Sequence, residues 1–181
     1  MNQRQIDNLR LRTAELAVGA STVRGAGAPG TVAAARRALK AVPLRSFAVR
    51  SRRQFRAILE RHTRNVQSRL PPNARHWGVA RKVLNIFLRS CVYSRPLARA
   101  YGITHIEQWL ELPLDSQIAR GIRTCSGAPV PRWRTVKGVS PGTQAQYQAA
   151  AEALARKLRV RRIHLEACWW RETISHCACA V

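Results

Sequence analysis

A lysine and an aspartate stand at two places in this sequence where their chemistry can be used together. Lys82 follows Gly78 in the segment WGVARKVLNIFLRS, and Asp115 follows Pro113 in the segment LELPLDSQIARGI. A neutral lysine amine is a nucleophile, and a carboxylate beside it can stabilise positive charge and accept a proton. These two groups suffice to attack and cleave an N-glycosidic bond. We therefore predict that Lys82 is a catalytic nucleophile and that Asp115 is its acidic partner.

The elements that must position these two residues are predicted to be helices. Apolar residues recur at helical spacing, and little in the chain indicates a sheet, so the predicted fold class is all-α. Boundary signals support this assignment: Thr104 faces Glu107 in a capping box, Asp115 can cap the helix that follows it, and Pro141 lies in a first turn. The predicted helices cover 6–18, 31–40, 51–70, 79–97, 104–112, 116–123 and a long segment that begins at Ser140. The segment 159–170 reads as a helix or a short strand.

The length of 181 residues suits one domain. Residues 1–45, which are basic and rich in Ala, Gly and Arg, are predicted to be a partly flexible extension, because the glycines and the proline of 19–30 interrupt regular structure. Residues 46–175 are predicted to form the helical domain, and residues 176–181 a short tail.

The charge points to a polyanionic partner. Lys and Arg number 32 against 9 Asp and Glu, which gives a formal net charge of +23. Such an excess destabilises a compact chain unless a polyanion lies against it, and arginine binds phosphate bidentately. DNA is the predicted partner. A merely solvated basic surface, or the bias of an arginine-favouring genome, are the alternatives.

Three groups of residues are candidates for contact with nucleic acid. One surrounds Lys82, one lies on the basic helix 51–70, and one lies in the loop before Ser140. The predicted nucleic-acid-binding residues are Gly78, Ala80, Arg81, Arg52, Arg53, Arg56, Arg132, Arg134 and Lys137. The candidates for stacking on a base are Trp77, Trp109 and Tyr101, although tryptophans more often belong to a core.

Several classes of protein are disfavoured. No apolar stretch approaches the length of a membrane span, so no membrane partner is predicted. The five cysteines are an odd set without regular spacing, as expected of free thiols in a reducing compartment, and the predicted location is cytoplasmic, nucleoid-associated if bacterial. An organellar transit peptide is the alternative at the N-terminus. The five histidines have no spacing suited to a metal site, and no metal or cofactor is predicted.

The segment from Gly78 to Lys82 resembles the second half of a helix-hairpin-helix turn. In the helix-hairpin-helix (HhH-GPD) DNA glycosylase superfamily, the catalytic lysine of bifunctional members falls four residues after the first glycine of this turn, as Lys82 does after Gly78. The segment from Leu112 to Asp115 resembles the apolar–proline–apolar–aspartate signature of the same superfamily. The separation of 33 positions between the two residues is similar to that of the archaeal oxoguanine-glycosylase branch, in which an extra helix intervenes, here 103–112.

The resemblance implies a helix-hairpin-helix glycosylase-like domain that acts on an extruded nucleotide of DNA. The sequence departs from the family pattern where Ala80 replaces the usual second glycine and where PPNARHW supplies a short first helix. The cysteines also lack the iron–sulfur arrangement of some relatives. Two other functions stay open, a non-catalytic nucleic-acid-binding helical module and a DNA base-modification enzyme on the same scaffold.

Overall fold

Every regular element in the described part of the chain is helical, which confirms the all-α class. The computed structural model describes residues 1–25 and 29–169, and no strand occurs in these ranges. The predicted tail, 176–181, and the last residues of the predicted domain, 170–175, lie outside them.

Eight α-helices follow one another along the described residues, with short 3₁₀ turns between them. The helices are α1 (Gln3–Leu16), α2 (Thr31–Lys40), α3 (Arg52–Ser68), α4 (Trp77–Tyr93), α5 (Arg95–Tyr101), α6 (Ser116–Cys125), α7 (Pro141–Lys157) and α8 (Leu165–Trp169). The 3₁₀ turns are Leu44–Phe47, Pro72–Ala74, Thr104–Trp109, Val136–Gly138 and Arg162–His164. The segment 159–170, for which the sequence left helix and strand open, is helical over the 3₁₀ turn Arg162–His164 and over α8, and residues 159–161 before them are irregular.

Helix α4 is the centre of the molecule. Its residues Val83, Leu84, Phe87 and Leu88 are completely buried, as the apolar character of this segment predicted. Helices α1, α2, α3, α5 and α7 all pack against it. Because α4 is surrounded, its two ends and its polar side chains have fixed neighbours.

The predicted helix 79–97 is divided in two. Helix α4 ends at Tyr93, and α5 begins at Arg95 with Pro96 in its first turn. Proline has no N–H to donate and its ring clashes with the preceding turn, so α4 cannot continue through Pro96. The same residue is well suited to the start of a new helix.

The predicted capping box at Thr104 does not form. Residues Thr104–Trp109 make a 3₁₀ helix without a side-chain cap. The Glu107 carboxylate instead pairs with Arg161 and lies 2.9 Å from Nε2 of His164. Long-range ion pairs have therefore replaced the local cap, and the extra helix expected at 103–112 is this 3₁₀ element.

The first 45 residues contribute to the same core as the rest of the chain. Ile6, Ala14 and Val18 are buried with Ala35 and Leu39 in one hydrophobic cluster that includes α4. Helices α1 and α2 lie within a few residues of the predicted 6–18 and 31–40.

The free-thiol prediction is wrong for two cysteines. Cys125 and Cys168 are disulfide-bonded, whereas Cys91 is a free, fully buried thiol whose pKa is raised by burial. The cysteine argument for a reducing compartment therefore no longer holds. Among the described residues, no helix is long and apolar enough to cross a membrane.

Candidate functional site

The structure brings Lys82 and Asp115 together. Nζ of Lys82 lies 3.4 Å from Oδ2 of Asp115, although the two residues are far apart in the chain. The Lys82 side chain is 11% exposed and the Asp115 side chain is 37% exposed. The carboxylate is therefore the part of the pair that solvent, or a ligand, reaches most easily.

The two carboxylate oxygens of Asp115 have different partners. Asp115 is the N-cap of α6, as predicted, and its Oδ1 accepts hydrogen bonds from the backbone N–H groups of Gln117 and Ile118 at 3.1 and 3.0 Å. These bonds satisfy two donors that a helix start leaves unpaired, and they fix the rotation of the side chain. Oδ2 is thereby held toward Lys82.

Gly78 permits a close approach of two segments beside this pair. It is the second residue of α4, and a Cβ at this position would lie 2.2 Å from the backbone oxygen of Val136 and 2.7 Å from Cβ of Val139. The turn Val136–Gly138 therefore packs directly on the first turn of α4. Residues four apart share a helix face, so Lys82 projects from the face on which this turn packs.

Gly78→Ala is expected to destabilise the protein by about 1–3 kcal/mol, because the added methyl group overlaps the backbone oxygen of Val136. A backbone atom, unlike a side chain, cannot avoid the overlap by changing rotamer. Urea unfolding followed by circular dichroism measures the change. Gly142→Ala is the matched control: Gly142 is also the second residue of its helix, but its Cβ would meet only Oγ of Ser140, at 3.8 Å. That control is expected to be neutral or stabilising, and equal losses in the two variants would contradict this explanation.

The residues expected to form a phosphate-binding turn are buried. Helix α4 begins at Trp77, with His76 as its N-cap, so Gly78 and Ala80 lie within the helix and are covered by other parts of the chain. Arg81 is 6% exposed and its guanidinium is committed to a carboxylate. As placed, Gly78 and Ala80 are buried and offer no surface to a phosphate.

Arg81 forms a bidentate pair with Glu111. Its Nε and Nη2 donate to the two carboxylate oxygens at 2.9 and 3.0 Å, and Nε2 of Gln144 donates to Glu111 at 2.8 Å. Burial alone would raise the pKa of Glu111, but the charge and hydrogen bonds of Arg81, together with Arg162 and Gln144, outweigh it and lower the pKa. We call these three residues, Arg81, Glu111 and Gln144, the Glu111 clamp.

The clamp sets where Asp115 lies. Arg81 directly precedes Lys82, and Glu111 belongs to the irregular segment 110–115 that ends at Asp115. The same segment is tied to α7 by Gln148, whose amide makes two hydrogen bonds with the backbone of Leu112, at 3.0 and 2.8 Å. Nη2 and Nε of Arg162 donate hydrogen bonds to the backbone oxygen of Leu110 at 2.7 and 3.0 Å. Buried polar bonds therefore replace helical structure in holding this segment.

A cleft with a volume of about 490 Å³ lies beside α4, where it is lined by Trp77 and Arg81. Its walls are α3 and one face of α7, and the Glu111 clamp forms its floor. We call it the α7 groove; it is lined by Arg52, Arg56, Glu60, Trp77, Arg81, Glu111, Pro141, Gln144, Ala145, Gln148, Ala149, Glu152, Ala153, Arg156 and Arg162. Neither Lys82 nor Asp115 lines it, so the molecule presents two separate sites.

The predicted arginines and lysine fall into two groups on the structure. Arg52 and Arg56 line the α7 groove, while Arg53, one position along, is exposed outside it. The second group is exposed in the segment that carries the turn packed on Gly78, on the Lys82 face of α4. Its members are Arg132, Arg134 and Lys137.

The three predicted stacking residues have different surroundings. Trp77 is 8% exposed, lies under the Arg81 guanidinium at 5.1 Å, and donates from Nε1 to Glu60 at 3.0 Å. The hydroxyl of Tyr101 donates to Asp7 at 3.0 Å, on the side of the molecule formed by α1. Trp109 is half-buried and lines a smaller pocket next to the α7 groove.

Sequence reasoning did not find most of the α7 groove. Glu111, Gln144, Gln148, Glu152, Arg156 and Arg162 were not candidates. The one available signal was the spacing of Gln144, Gln148 and Glu152, polar residues on one face of an otherwise alanine-rich helix. Polar groups on the packed face of a helix need buried partners, and such a stripe indicates a polar cavity or network.

No group of three or more His, Cys, Asp or Glu residues suited to a metal ion occurs in the described ranges. Comparisons of the chain with protein-family models, with curated proteins and with solved structures found no match.

Proposed function

We propose that this protein is a DNA-acting base-excision glycosylase with lyase activity, in which Lys82 is the nucleophile and Asp115 is its acidic partner. The observation that carries the proposal is the 3.4 Å distance between Nζ of Lys82 and Oδ2 of Asp115. Two residues chosen from separate sequence motifs meet at one place, partly open to solvent. The helix-hairpin-helix glycosylase fold is part of this proposal.

The geometry supports a defined order of proton and bond changes. Oδ2 of Asp115 accepts a proton from the Lys82 ammonium, and the neutral amine bonds to C1′ of the sugar while the C1′–base bond breaks with its electron pair on the base. The departing base takes up the proton that Asp115 accepted, which leaves the carboxylate free to stabilise positive charge on the sugar. Transfer of a proton from Nζ to O4′ opens the ring and leaves a Schiff base.

The surface around the pair supports DNA as the substrate. The exposed residues Arg132, Arg134 and Lys137 lie in the segment that packs on the Lys82 face of α4, where they can contact phosphates. The target nucleotide must leave the duplex first, because neither side chain can reach a sugar–base bond inside the stack. Since Lys82 is 11% exposed, the nucleotide would approach from the side of Asp115.

Reductive trapping tests the proposal. The protein is incubated with duplexes that contain an abasic site or an oxidised or alkylated base, and borohydride reduces any Schiff base to a stable amine. We expect a covalent adduct whose modified residue, located by peptide mass spectrometry, is Lys82. The chain has only four lysines, so the assignment is direct. The absence of an adduct with every substrate would refute the lyase activity.

Asp115→Asn separates the structural role of Asp115 from its proposed chemical role. Asparagine caps a helix as well as aspartate does, so thermal stability should change little, but the charge next to Lys82 is lost. We expect adduct formation to slow by about 100-fold or more, as for the loss of a general acid–base group. Asp115→Ala should also lose the cap, at a cost of about 1 kcal/mol. Unchanged trapping in Asp115→Asn would assign Asp115 to capping alone.

A second candidate function is a non-catalytic nucleic-acid-binding module. The low exposure of Lys82 and its salt-bridge distance from Asp115 are also what a structural ion pair shows. This function predicts that Lys82 variants bind DNA more weakly, with a reduced dependence on salt, and that no adduct ever forms.

A further inference from the structure

A second pocket adjoins the α7 groove. This pocket, of about 280 Å³, shares the residues Arg52, Glu152, Arg156 and Arg162 with the groove. It is also lined by Gln108, Trp109, Ala155, Val160 and Arg161. We call the groove and this pocket together the channel; its lining includes Glu111 at one end and the half-buried Trp109 at the other.

Some of the charged groups that line this channel are paired with one another. Arg52 and Arg162 both lie 3.1 Å from Glu152, and Arg81 is paired with Glu111. Within the described part of the chain, Arg56 and Arg156 have no carboxylate partner, and both are exposed. They belong to opposite walls, Arg56 to α3 and Arg156 to α7.

The uncompensated charge affects the interior of the channel. The pKa of Arg162 is lowered, and burial is the largest cause. The positive charges of Arg52 and Arg56 also lower the pKa, whereas Glu111 and Glu152 raise it. An anion bound between Arg56 and Arg156 would offset the repulsion between the positive charges of the channel. It would accept bidentate hydrogen bonds from the planar guanidinium groups of both walls.

The shape of the channel limits the kind of anion. Volumes of about 490 and 280 Å³ are of the order of small-ligand pockets, and a duplex does not enter such a space. Carboxylates on the walls disfavour a bare polyanion but accept hydrogen bonds from the N–H groups of bases, such as N3–H of thymine and uracil. Arginines beside an aromatic ring are the usual means of binding an unpaired strand, because phosphates meet the arginines and a base stacks on the ring.

We propose that the α7 groove and its adjoining pocket bind an unpaired nucleic-acid strand, with Arg56 and Arg156 on its phosphates and Trp109 against a base. This site lies apart from the Lys82–Asp115 pair and needs no chemistry at Lys82. The evidence for this site does not depend on the proposed glycosylase activity, and the two proposals are tested separately.

Fluorescence anisotropy with a labelled oligothymidylate of about 12 nucleotides, within the range of known single-strand sites, tests the proposal at several salt concentrations. The variant Arg56→Gln/Arg156→Gln is compared with Arg61→Gln/Lys157→Gln. Both variants lose two positive charges from the same two helices, but Arg61 and Lys157 are exposed and do not line the groove. Oligouridylate and a blunt duplex serve as the other probes, and thermal unfolding checks that each variant folds.

The groove variant is expected to bind oligothymidylate about tenfold or more weakly than the control, with a salt slope smaller by about 1.4, the value for two single-strand phosphate contacts. Trp109→Leu, which keeps an apolar side chain beside Phe55 but cannot stack, should lose about tenfold, and Trp109→Phe should lose much less. Equal losses in the groove and control variants would overturn the proposal, and so would a loss of duplex binding as large as the loss of single-strand binding. The ratio of oligouridylate to oligothymidylate affinity tells whether RNA or DNA is preferred.

Discussion

Replacing Lys82 with glutamine is expected to abolish the borohydride-trapped adduct. The Schiff base requires a primary amine at the place where the Asp115 carboxylate lies 3.4 Å away, and glutamine supplies a side chain of similar polarity that cannot form it. Trapping yield on an abasic duplex, measured by gel shift, should fall to background. Lys82→Arg should be equally inactive, because a guanidinium retains the positive charge but is not a nucleophile.

Lys137→Gln is the matched control for this loss. Lys137 is exposed in the turn that packs on the Lys82 face of α4, so the change removes the same charge from the same region. We expect it to weaken DNA binding slightly and to leave the adduct intact. If Lys82→Gln still forms an adduct, Lys82 is not the nucleophile, and another amine of the chain forms the Schiff base. If Lys137→Gln also loses the adduct, the loss in Lys82→Gln does not identify Lys82 as the nucleophile.

Glu111→Gln is expected to cost about 3–5 kcal/mol of the free energy of unfolding. The Arg81 and Glu111 side chains are 7% and 11% exposed, and removing one member of a buried pair leaves an uncompensated charge in the interior. Glutamine also turns an amide N–H₂ toward donors of Arg81 and Gln144, so at least one buried donor loses its acceptor. Denaturant unfolding by circular dichroism measures the change.

Two further variants distinguish the buried pair from charge effects in general. Glu15→Gln removes the surface pair with Lys40 and should leave the unfolding midpoint unchanged. Arg81→Met/Glu111→Leu replaces both charges with apolar groups and should recover much of the stability lost in Glu111→Gln. A small effect of Glu111→Gln, comparable to that of Glu15→Gln, would show that the clamp does not hold the 110–115 segment.

The clamp and the Lys82–Asp115 pair are linked through the chain. Arg81 and Lys82 are consecutive, and Glu111 lies four residues before Asp115, so a shift of the clamp moves both members of the pair. The irregular segment 110–115 has no helical hydrogen bonds of its own and depends on Arg81, Gln148 and Arg162. Its stability is therefore a condition for the geometry on which the proposed function depends.

Much of the local structure could be predicted from the sequence alone. Apolar spacing located α3, and capping residues, prolines and alanines located α2 and the start of α7, within a few residues. Asp115 and Ser140 were recognisable as residues that begin helices. Lys82 and Asp115 could also be named as candidates, because their residue types and flanking residues are local properties. Side-chain hydrogen bonds to nearby backbone N–H groups and the helical period of 3.6 residues act over one or two turns, which is why these features can be read without a structure.

The tertiary structure alone decided which of these residues meet. The 3.4 Å distance between Lys82 and Asp115, the burial of Gly78 and Ala80, and the choice of Glu111 over DNA phosphates as the partner of Arg81 all depend on contacts between distant segments. Residues such as Glu111 and Arg162 have no local feature that distinguishes them from surface residues. Their roles arise because burial makes an unpaired polar group costly, so the packing of the helices, rather than the spacing along the chain, selects the partners.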